Sequence, residues 1–211
     1  MKRSFHYSLL LLAALALGLG ACSNPADGTS QAEVGEAEPA GGAPAMGAGK
    51  TYDLTDATVI GFVGSKVTGS HDGGFKSFDG IITLVDDDPT KSHVELTIDA
   101  DSLWADNEKL TGHLKSPDFF DVVTYPEVHF ESTAITATPD GYQVTGNLDL
   151  HGVTKSITFP ATINVAEDAI TAQAEFHIKR FDFGIEYPGK ADDLIRDEVV
   201  IKLDLVAQPE A

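Results

Sequence analysis

The stretch GNLDLHGVTKSITFP, residues Gly146–Pro160, contains a change of phase in the alternation of its apolar and polar residues. Leu148 and Leu150 stand at even positions, whereas the apolar residues after the His-Gly pair stand at odd positions: Val153, Ile157, Phe159, Ala161, Ile163 and Val165. In a two-residue hairpin turn at His151-Gly152, Leu150 faces Val153, so an even-numbered apolar face meets an odd-numbered one. The change of phase therefore keeps the apolar side chains of both strands on one face of a sheet. Gly152 suits the positive φ of such a turn, and histidine tolerates it.

The same two-residue period recurs along the rest of the chain and is typical of strands with one buried face. Turn-forming residues separate the periodic segments, as at Asp72-Gly73-Gly74 and Pro139-Asp140-Gly141. We predict eight strands, at residues 57–68, 74–86, 91–100, 126–137, 142–151, 153–165, 170–180 and 197–208. Eight mostly antiparallel strands with short connections predict an all-β domain, either a closed barrel or a sandwich. The interior of an eight-stranded barrel is filled by side chains or holds one small ligand.

The longest break between predicted strands, residues 101–125, predicts a short helical insertion between the third and fourth strands. Apolar residues recur there at roughly helical spacing: Leu103, Trp104, Leu110 and Leu114. Ser116-Pro117-Asp118 is typical of a helix N-cap, a first-turn proline and a first-turn acid, so a short helix carrying Phe119 and Phe120 is expected to follow. An apolar helix beside a barrel most simply covers one of its openings.

Residues 1–21 are typical of an export signal. Lys2 and Arg3 precede Leu9–Leu19, an apolar run that is too short to span a bilayer comfortably. Leu19-Gly20-Ala21-Cys22 then resembles the bacterial lipobox, whose cysteine is acylated and becomes the new N-terminus. The alternative is an ordinary secretory signal with a chance cysteine, but Cys22 is the single cysteine of the chain and stands where a lipobox requires it.

A lipidated Cys22 predicts a lipid-anchored protein of the bacterial cell envelope, since two or more acyl chains give firm anchoring. Ser23 replaces the Asp that tends to hold enterobacterial lipoproteins at the inner membrane, which favours the outer membrane, with the protein facing the periplasm. Residues 22–50 predict a flexible linker, because they have too little apolar surface to offset the entropy of ordering. Such a coil would reach on the order of 30 Å and hold the domain clear of the membrane.

The remaining residues, 51–208, form one domain of ordinary size. Acidic residues outnumber basic ones 33 to 14, for a net charge of -19. This balance argues against a nucleic-acid partner and against electrostatic binding to anionic lipid head groups. A single cysteine excludes an internal disulfide, so the domain depends on its hydrophobic core.

Several motifs of this domain resemble those of the YceI-like family, and together they cover essentially all of residues 51–208. The longest are HLKSPDFFD at His113–Asp121 and GNLDLHGVTK at Gly146–Lys155, and RFDFG follows at Arg180–Gly184. The resemblance implies a lipocalin-like, eight-stranded antiparallel β-barrel that binds a polyisoprenoid or a similar long-chain amphiphilic lipid in its interior, as a carrier or buffer. It also implies an exported protein from a family not known for enzymes, so no cofactor is expected.

One pair of residues departs from the family pattern. The family often has Arg-Asp ahead of the His-Leu pair, where this chain has Leu110-Thr111. If the family's pair contacts the polar end of a ligand, this chain lacks that contact, and its ligand is less polar. If the pair is only structural, the substitution has no bearing on the ligand.

The candidate ligand-binding residues are large apolar side chains that either fill a dry core or line a cavity. Periodicity does not separate these two arrangements, and the resemblance favours the cavity. The candidates are Phe62, Leu96, Phe119, Phe120, Phe130, Leu148, Phe159, Phe176 and Phe183. One of Phe119 and Phe120 is expected to line the cavity together with Phe159, and the other to pack against the wall.

Two alternative functions remain open at this point. Six histidines lie in the domain, and two or three that converged could bind zinc or copper in a metal-dependent envelope enzyme. Their spacings match no local ligand motif, however, and strand parity places His93, His129 and His177 opposite the apolar face, so no metal site is expected. His113 is expected to be a hydrogen-bonded anchor of the helical connection. The other alternative is a structural, stress-related barrel without a ligand.

We predict that Cys22→Ala leaves a soluble or uncleaved protein, because the acyl chains supply the membrane affinity. Fractionation of cells that express the variant tests this prediction. A variant that has lost its signal segment but still sediments with membranes would contradict the lipid anchor.

Overall fold

The structure is a computed structural model and describes residues 24–39 and 49–210. In this part of the chain the strands are β1 Ser30–Gln31, β2 Glu33–Glu36, β3 Lys50–Leu54, β4 Val59–Lys66, β5 Gly69–Phe75, β6 Phe78–Val85, β7 Asp88–Asp99, β8 Leu103–Ala105, β9 Glu127–Thr138, β10 Gly141–Leu150, β11 Val153–Val165, β12 Ile170–Lys179, β13 Gly189–Lys190, β14 Asp193–Leu194 and β15 Glu198–Pro209. The α-helix is α1 Glu108–Leu114, and 3-10 helices form at Pro25–Gly28, Ala100–Ser102 and Arg180–Phe183. None of these helices is long and apolar enough to cross a membrane.

Eight strands close into an antiparallel barrel, which confirms the predicted fold class. Their order around the wall is β3-β6-β7-β9-β10-β11-β12-β15, and β15 returns to β3. Along its second edge β15 pairs with β4 as well as with β3, so these two strands form one interrupted wall strand. β5 continues the wall beside β4 at that end, and β8 pairs with its outer edge.

The predicted strands differ from the structure in two places. β3 begins at Lys50, the last residue assigned to the linker, and continues into the predicted domain to Leu54, where no strand was predicted. The predicted turn at Asp72-Gly73-Gly74 was wrong, because these residues lie in β5 and pair with β4. The predicted strand 74–86 is interrupted between β5 and β6, because the chain passes there from pairing with β4 to pairing with β3. These differences leave the number of wall strands unchanged.

The β10–β11 hairpin has the predicted register. Leu150 faces Val153, and the pairing continues without a break to Tyr142 and Ala161. His151 and Gly152 have φ values of 55° and 72°, as the favoured two-residue hairpin turn requires. The two-residue turn is therefore the reason that the apolar residues change from even to odd positions, as predicted.

Most inward-facing side chains of the wall form one hydrophobic cluster, and Ile82, Leu84 and Ile170 belong to a second one. The buried members of the first cluster on the wall strands are Ile60, Leu96, Ile98, Val128, Ile135, Val144, Leu150, Ile157, Phe159, Ala174, Phe176, Ile178 and Leu205. On the outer face, Val63 and Val200 are also buried, because Ala26 packs over them. The N-terminal segment thus covers part of the outside of the barrel.

Residues 24–36 differ from the predicted flexible linker. β1 pairs in parallel with β12, and β2 pairs antiparallel with β11. Ala32, which is 1% exposed, belongs to the interior cluster, and Val34 packs against it. The composition of this segment gave no signal of order, because its apolar residues are few and small. The predicted signal peptide, Cys22 and residues 40–48 lie outside the described residues.

The N-terminal strands occupy a split in the wall. β11 and β12 pair with each other only over Thr162–Val165 and Ile170–Gln173. Beyond these residues the two strands separate, and β1 and β2 lie between them as a wedge. The Ala32 amide donates to the His177 carbonyl at 2.9 Å, and Thr29 Oγ1 lies 2.9 Å from His177 Nδ1. Residues 30–36, the N-terminal wedge, are therefore part of the barrel wall.

The helical insertion lies where it was predicted, between β7 and β9, and α1 contains Leu110 and Leu114, whereas Leu103 and Trp104 lie in β8. α1 begins after Asn107, whose side chain accepts a hydrogen bond from the Leu110 amide at 3.0 Å. The Ser116 hydroxyl accepts from the Asp118 amide at 3.4 Å, but no helix follows, because the Phe120 amide donates back to the Leu114 carbonyl at 3.0 Å. Phe119 and Phe120 consequently lie in turns, and the predicted helix that carries them was wrong.

We predict that Gly152→Val lowers the free energy of unfolding by about 1–3 kcal/mol, because a β-branched residue is strained at φ > 0. In addition, a Cβ atom at Gly152 would lie 2.4 Å from Tyr125 Cε1. The matched control is Gly69→Val in β5, where an added Cβ meets no atom within 4 Å and valine suits a strand. Denaturant unfolding of both variants tests the prediction, which equal losses of stability would contradict.

Candidate ligand-binding cavity

A cavity of about 400 Å³ lies inside the barrel. On β12 every second residue lines it, and Gln173 adds to the set formed by Ile170, Ala172, Ala174, Phe176 and Ile178. At a rise of about 3.3 Å per residue, these positions extend along roughly 26 Å of strand. The cavity is therefore long and narrow, and its volume is within the range of small-molecule sites, about 300–1,000 Å³.

Aromatic side chains lie along the middle of the cavity. Phe159 and Phe176 stack with their centroids 4.3 Å apart, and Phe130 lies 5.9 Å from Phe159. The lack of a side chain at Gly146 leaves room for the Phe130 ring, because a Cβ atom at this position would lie 2.4 Å from the ring. The close approach explains why Gly146 interrupts the apolar alternation of β10, and the β9–β10 register shifts at the same point, between Thr145 and Gly146.

The insertion between β7 and β9 lines one end of the cavity. Leu110 and Leu114 contribute from α1, and Phe119 and Phe120 from the turns that follow it. The ring centroids of Phe120 and of Phe62, which is on β4, lie 6.3 Å apart, so the turn packs against the wall. The insertion therefore covers this end, as the sequence predicted.

Eight of the nine predicted ligand-binding residues line the cavity: Phe62, Leu96, Phe119, Phe120, Phe130, Leu148, Phe159 and Phe176. Phe183 does not, because the chain turns into a 3-10 helix after β12 and buries its ring in the core at 0% exposure. The expected division between Phe119 and Phe120 was wrong, since both line the cavity. The role of the eight residues in binding a ligand stays a prediction.

Leu110 and Thr111, which depart from the family pattern, contact different parts of the barrel. Leu110 presents an apolar side chain to the cavity. Thr111 Oγ1 accepts a hydrogen bond from the Ala105 amide at 2.9 Å and so ties α1 to β8. This pair therefore supplies packing and a backbone contact rather than a polar group in the cavity.

The histidines are spread over the barrel. His93, His129 and His177 lie on the outer face, as predicted; His93 is buried there, 3.6 Å from Glu131. His71 lies 2.8 Å from Asp106, and His151 Nδ1 lies 3.2 Å from the Phe183 carbonyl oxygen. In residues 24–39 and 49–210, no three His, Cys, Asp or Glu side chains are grouped so that they could hold a metal ion.

Arg180 is a functional candidate for which strand periodicity gave no signal. It follows β12, lines the cavity and is 4% exposed. Its Nε donates to the Arg196 carbonyl at 3.0 Å, and its two terminal nitrogens donate to the carbonyls of Ile185 and Ile195. Burial lowers the pKa of Arg180, and the negative charge of Asp197 opposes that effect. The side chain thus holds the crossing segment 185–196 at this end of the barrel.

A second contact holds the crossing segment 185–196 at this end of the barrel. Lys66, the last residue of β4, forms an ion pair with Asp193 of the β13–β14 hairpin. The hydrogen bond from Lys66 lowers the pKa of Asp193, and hydrogen bonds from Thr68 act in the same direction. Ile185 and Ile195, which line the cavity from this segment, are held in place by these two contacts.

A closed, eight-stranded antiparallel wall around a long apolar cavity defines the protein as a lipocalin-like binding barrel. A sequence model of the YceI-like domain matches residues 52–207. The chain belongs to the YceI-like family. The match begins within β3, so the N-terminal wedge precedes the part shared with the family.

Relatives and solved structures agree with this assignment. A UPF0312 protein of Pseudomonas putida (strain W619) is 35% identical over 137 residues, which are 62% of this chain and 71% of the relative. The crystal structure of Burkholderia cenocepacia BcnA is 27% identical, with a TM-score of 0.66 over 74% of this chain and 99% of that one. A polyisoprenoid binding domain from Saccharophagus degradans shares the fold at 21% identity, with a TM-score of 0.61 over 75% and 98% of the two chains.

The predicted role of His113 as an anchor can be divided into two contributions. Its Nε2 lies 2.9 Å from Asp118, and both side chains are partly exposed. Its ring also meets Phe119 and Tyr187 edge-on, each at 5.0 Å.

We predict that His113→Ala lowers the free energy of unfolding by about 1–2 kcal/mol, since such ring contacts contribute about 0.5–1.5 kcal/mol each. Asp118→Asn should cost less than about 1 kcal/mol, because exposed ion pairs contribute little. Urea unfolding of the two variants measures both effects. Equal losses would show that the ion pair, rather than the ring packing, is the anchor.

Proposed function

We propose that this protein binds a polyisoprenoid or a similar long-chain amphiphilic lipid inside its barrel and carries or buffers that lipid in the bacterial cell envelope. The observation that carries the proposal is the long cavity, whose lining along β12 is apolar at every inward position. A compact ligand would occupy a fraction of this length, whereas an extended hydrocarbon chain follows it. Each CH₂ group withdrawn from water contributes about 0.8 kcal/mol.

The comparisons support the class of ligand. The Saccharophagus degradans structure, which shares this fold, is described as a polyisoprenoid binding domain. Since the proposed activity is reversible burial of a lipid, it requires neither a catalytic group nor a cofactor. An extended cavity also supports this function over that of a structural barrel with a filled interior.

The Leu19–Cys22 motif supports the proposed lipid anchor, and Ser23 supports an outer-membrane location facing the periplasm. The 3-10 helix Pro25–Gly28 already lies on the barrel, where Ala26 packs on Val63 and Val200. An acylated Cys22 would therefore hold the barrel directly beside the membrane, rather than at the end of a coil of about 30 Å. In that position the cavity is close to a source of lipid.

Native mass spectrometry of the protein purified from its own host tests the proposal directly. The expected result is a complex whose excess mass equals that of one long-chain lipid, which organic extraction then releases for identification. A protein that carries no lipid and binds none when it is offered would overturn the proposal.

We predict that Ala174→Trp reduces lipid retention and leaves the melting temperature of the delipidated protein nearly unchanged. Ala174 lines the cavity from β12, so the indole enters space that the lipid chain would occupy. The control is Ala134→Trp, at an exposed position of β9 that does not line the cavity, which should retain lipid. If the interior were fully packed, Ala174→Trp would instead cost about 1–3 kcal/mol through overpacking. Lipid extraction and thermal melts of both variants distinguish these outcomes.

A further inference from the structure

The N-terminal wedge separates the cavity from solvent at the split between β11 and β12. The cavity-lining residues on the two sides of the split are Ile157 and Phe159 on β11 and Phe176 and Ile178 on β12. Ala32 of the wedge faces the interior, and Val34 is partly buried against the same cluster, whereas the other five residues of the wedge are exposed. One extended strand is therefore the whole thickness of the wall at this place.

The wedge is paired over fewer residues than the strands of the wall. Two of its residues pair with β12 and four pair with β11, whereas β12 and β15 pair with each other over ten residues each. The pairing with β12 is also parallel, which is slightly less stable per residue than antiparallel pairing. The wedge is consequently held by fewer and weaker backbone contacts than its neighbours.

The side chains of the wedge add little to these backbone contacts. Its inward-facing residues, Ala32 and Val34, are small, and Gly35 has no side chain to pack and weakens a strand. Glu36 forms an ion pair with Lys155 at 2.9 Å, but the Glu36 side chain is 93% exposed, and exposed pairs contribute little. Release of the wedge therefore removes little apolar surface from the interior.

The eight wall strands remain connected when the wedge is released. β11 and β12 still pair over Thr162–Val165 and Ile170–Gln173, and β12 keeps its full pairing with β15. The wedge also precedes residues 52–207, the part that matches the family. Its release leaves the facing edges of β11 and β12 unpaired, and unpaired strand edges are unfavourable, so the closed arrangement is favoured at rest.

Packed side chains occupy both ends of the barrel. At one end, the insertion meets the crossing segment 185–196, where the ring centroids of Phe119 and Tyr187 lie 5.3 Å apart. At the opposite end, Tyr52, Leu84 and Ala207 are each no more than 2% exposed. A ligand that entered at either end would have to displace large buried side chains, whereas displacement of the wedge uncovers only small ones.

We propose that the N-terminal wedge is a movable cover, and that a lipid chain enters and leaves the cavity sideways through the split between β11 and β12. The inference rests on the proposed lipid-binding function and adds the route that the ligand takes. Release of residues 30–36 opens the cavity beside the stacked rings of Phe159 and Phe176. An extended chain can enter there along its length, and the wedge then pairs again and closes the wall over it.

A disulfide that locks the wedge to β11 tests this route. Glu33 and Thr158 are register partners, and the Cα atoms of such antiparallel partners lie about 4.5–5.5 Å apart, within the range that a disulfide bridges. Glu33→Cys with Thr158→Cys is made in full-length Cys22→Ala protein, so that the two introduced cysteines are the only ones. Release of cis-parinaric acid into excess phosphatidylcholine vesicles is followed by fluorescence, and release of geranylgeraniol by mass spectrometry.

The oxidised lock should slow uptake and release by at least about tenfold, because the local opening that they require is blocked. Reduction with dithiothreitol should restore both rates. The matched control is Asp149→Cys with Thr154→Cys, which also removes one carboxylate and one threonine hydroxyl. It joins register partners of β10 and β11, whose side chains already meet at 3.0 Å, and should leave both rates unchanged.

Equal rates in the oxidised and reduced wedge lock, or equal slowing by the control lock, would overturn the inference and leave lipid binding intact. If neither probe binds the wild-type protein in native mass spectrometry, the proposed function fails instead. The two failures are therefore distinguishable.

A second pair of variants decides if the disulfide does not form. Ala32→Asp places a carboxylate at a position that is 1% exposed, so it should drive the wedge out of the split and speed release of both probes. The control is Ala134→Asp, the same change at an exposed position of β9 outside the cavity. Circular dichroism checks that both barrels fold. Equal release rates in the two variants would overturn the inference.

Discussion

Closure of the wall by β15 is the constraint on which the rest of the structure depends. β15 pairs with β12 along one edge and with both β3 and β4 along the other. In a closed wall, the side chains of one parity can only point into the enclosed space. The parity of each strand therefore determines what the interior contains, and a single two-residue turn at His151-Gly152 sets the parity of β11 against that of β10. The apolar cavity follows from these alternations, and the space left at Gly146 admits the ring of Phe130.

Features determined by neighbouring residues were predictable, and features determined by distant ones were not. The register of the β10–β11 hairpin follows from a local change of phase. β3 and the N-terminal wedge escaped prediction because their partners, such as Ala207 for Leu54 and Phe176 for Ser30, lie far away in the sequence. The misplaced helix is an exception with a local cause, since the Phe120 amide donates back to the Leu114 carbonyl and the chain between them forms turns. Whether the phenylalanines fill or line the interior depends on their joint packing, which no single strand reveals.

Different parts of the sequence build the wall of the cavity and the segment that lies across one end of it. Strand alternation supplies the apolar channel, which the family match covers from residue 52 onwards. The crossing segment 185–196 has no such alternation, and Arg180 holds it in place by donating to the carbonyls of Ile185, Ile195 and Arg196.

The N-terminal wedge has a consequence for how the barrel forms. Residues 30–36 pair with residues between 155 and 177, and β3 pairs with β15, so both contacts join parts of the chain that are remote in sequence. Folds dominated by such contacts form slowly, because the entropy of closing long loops is lost before the contacts are gained. The β6–β12 hairpins can assemble earlier as an open, curved sheet with its apolar face uncovered. The interior of the barrel is then enclosed only when these remote contacts have formed.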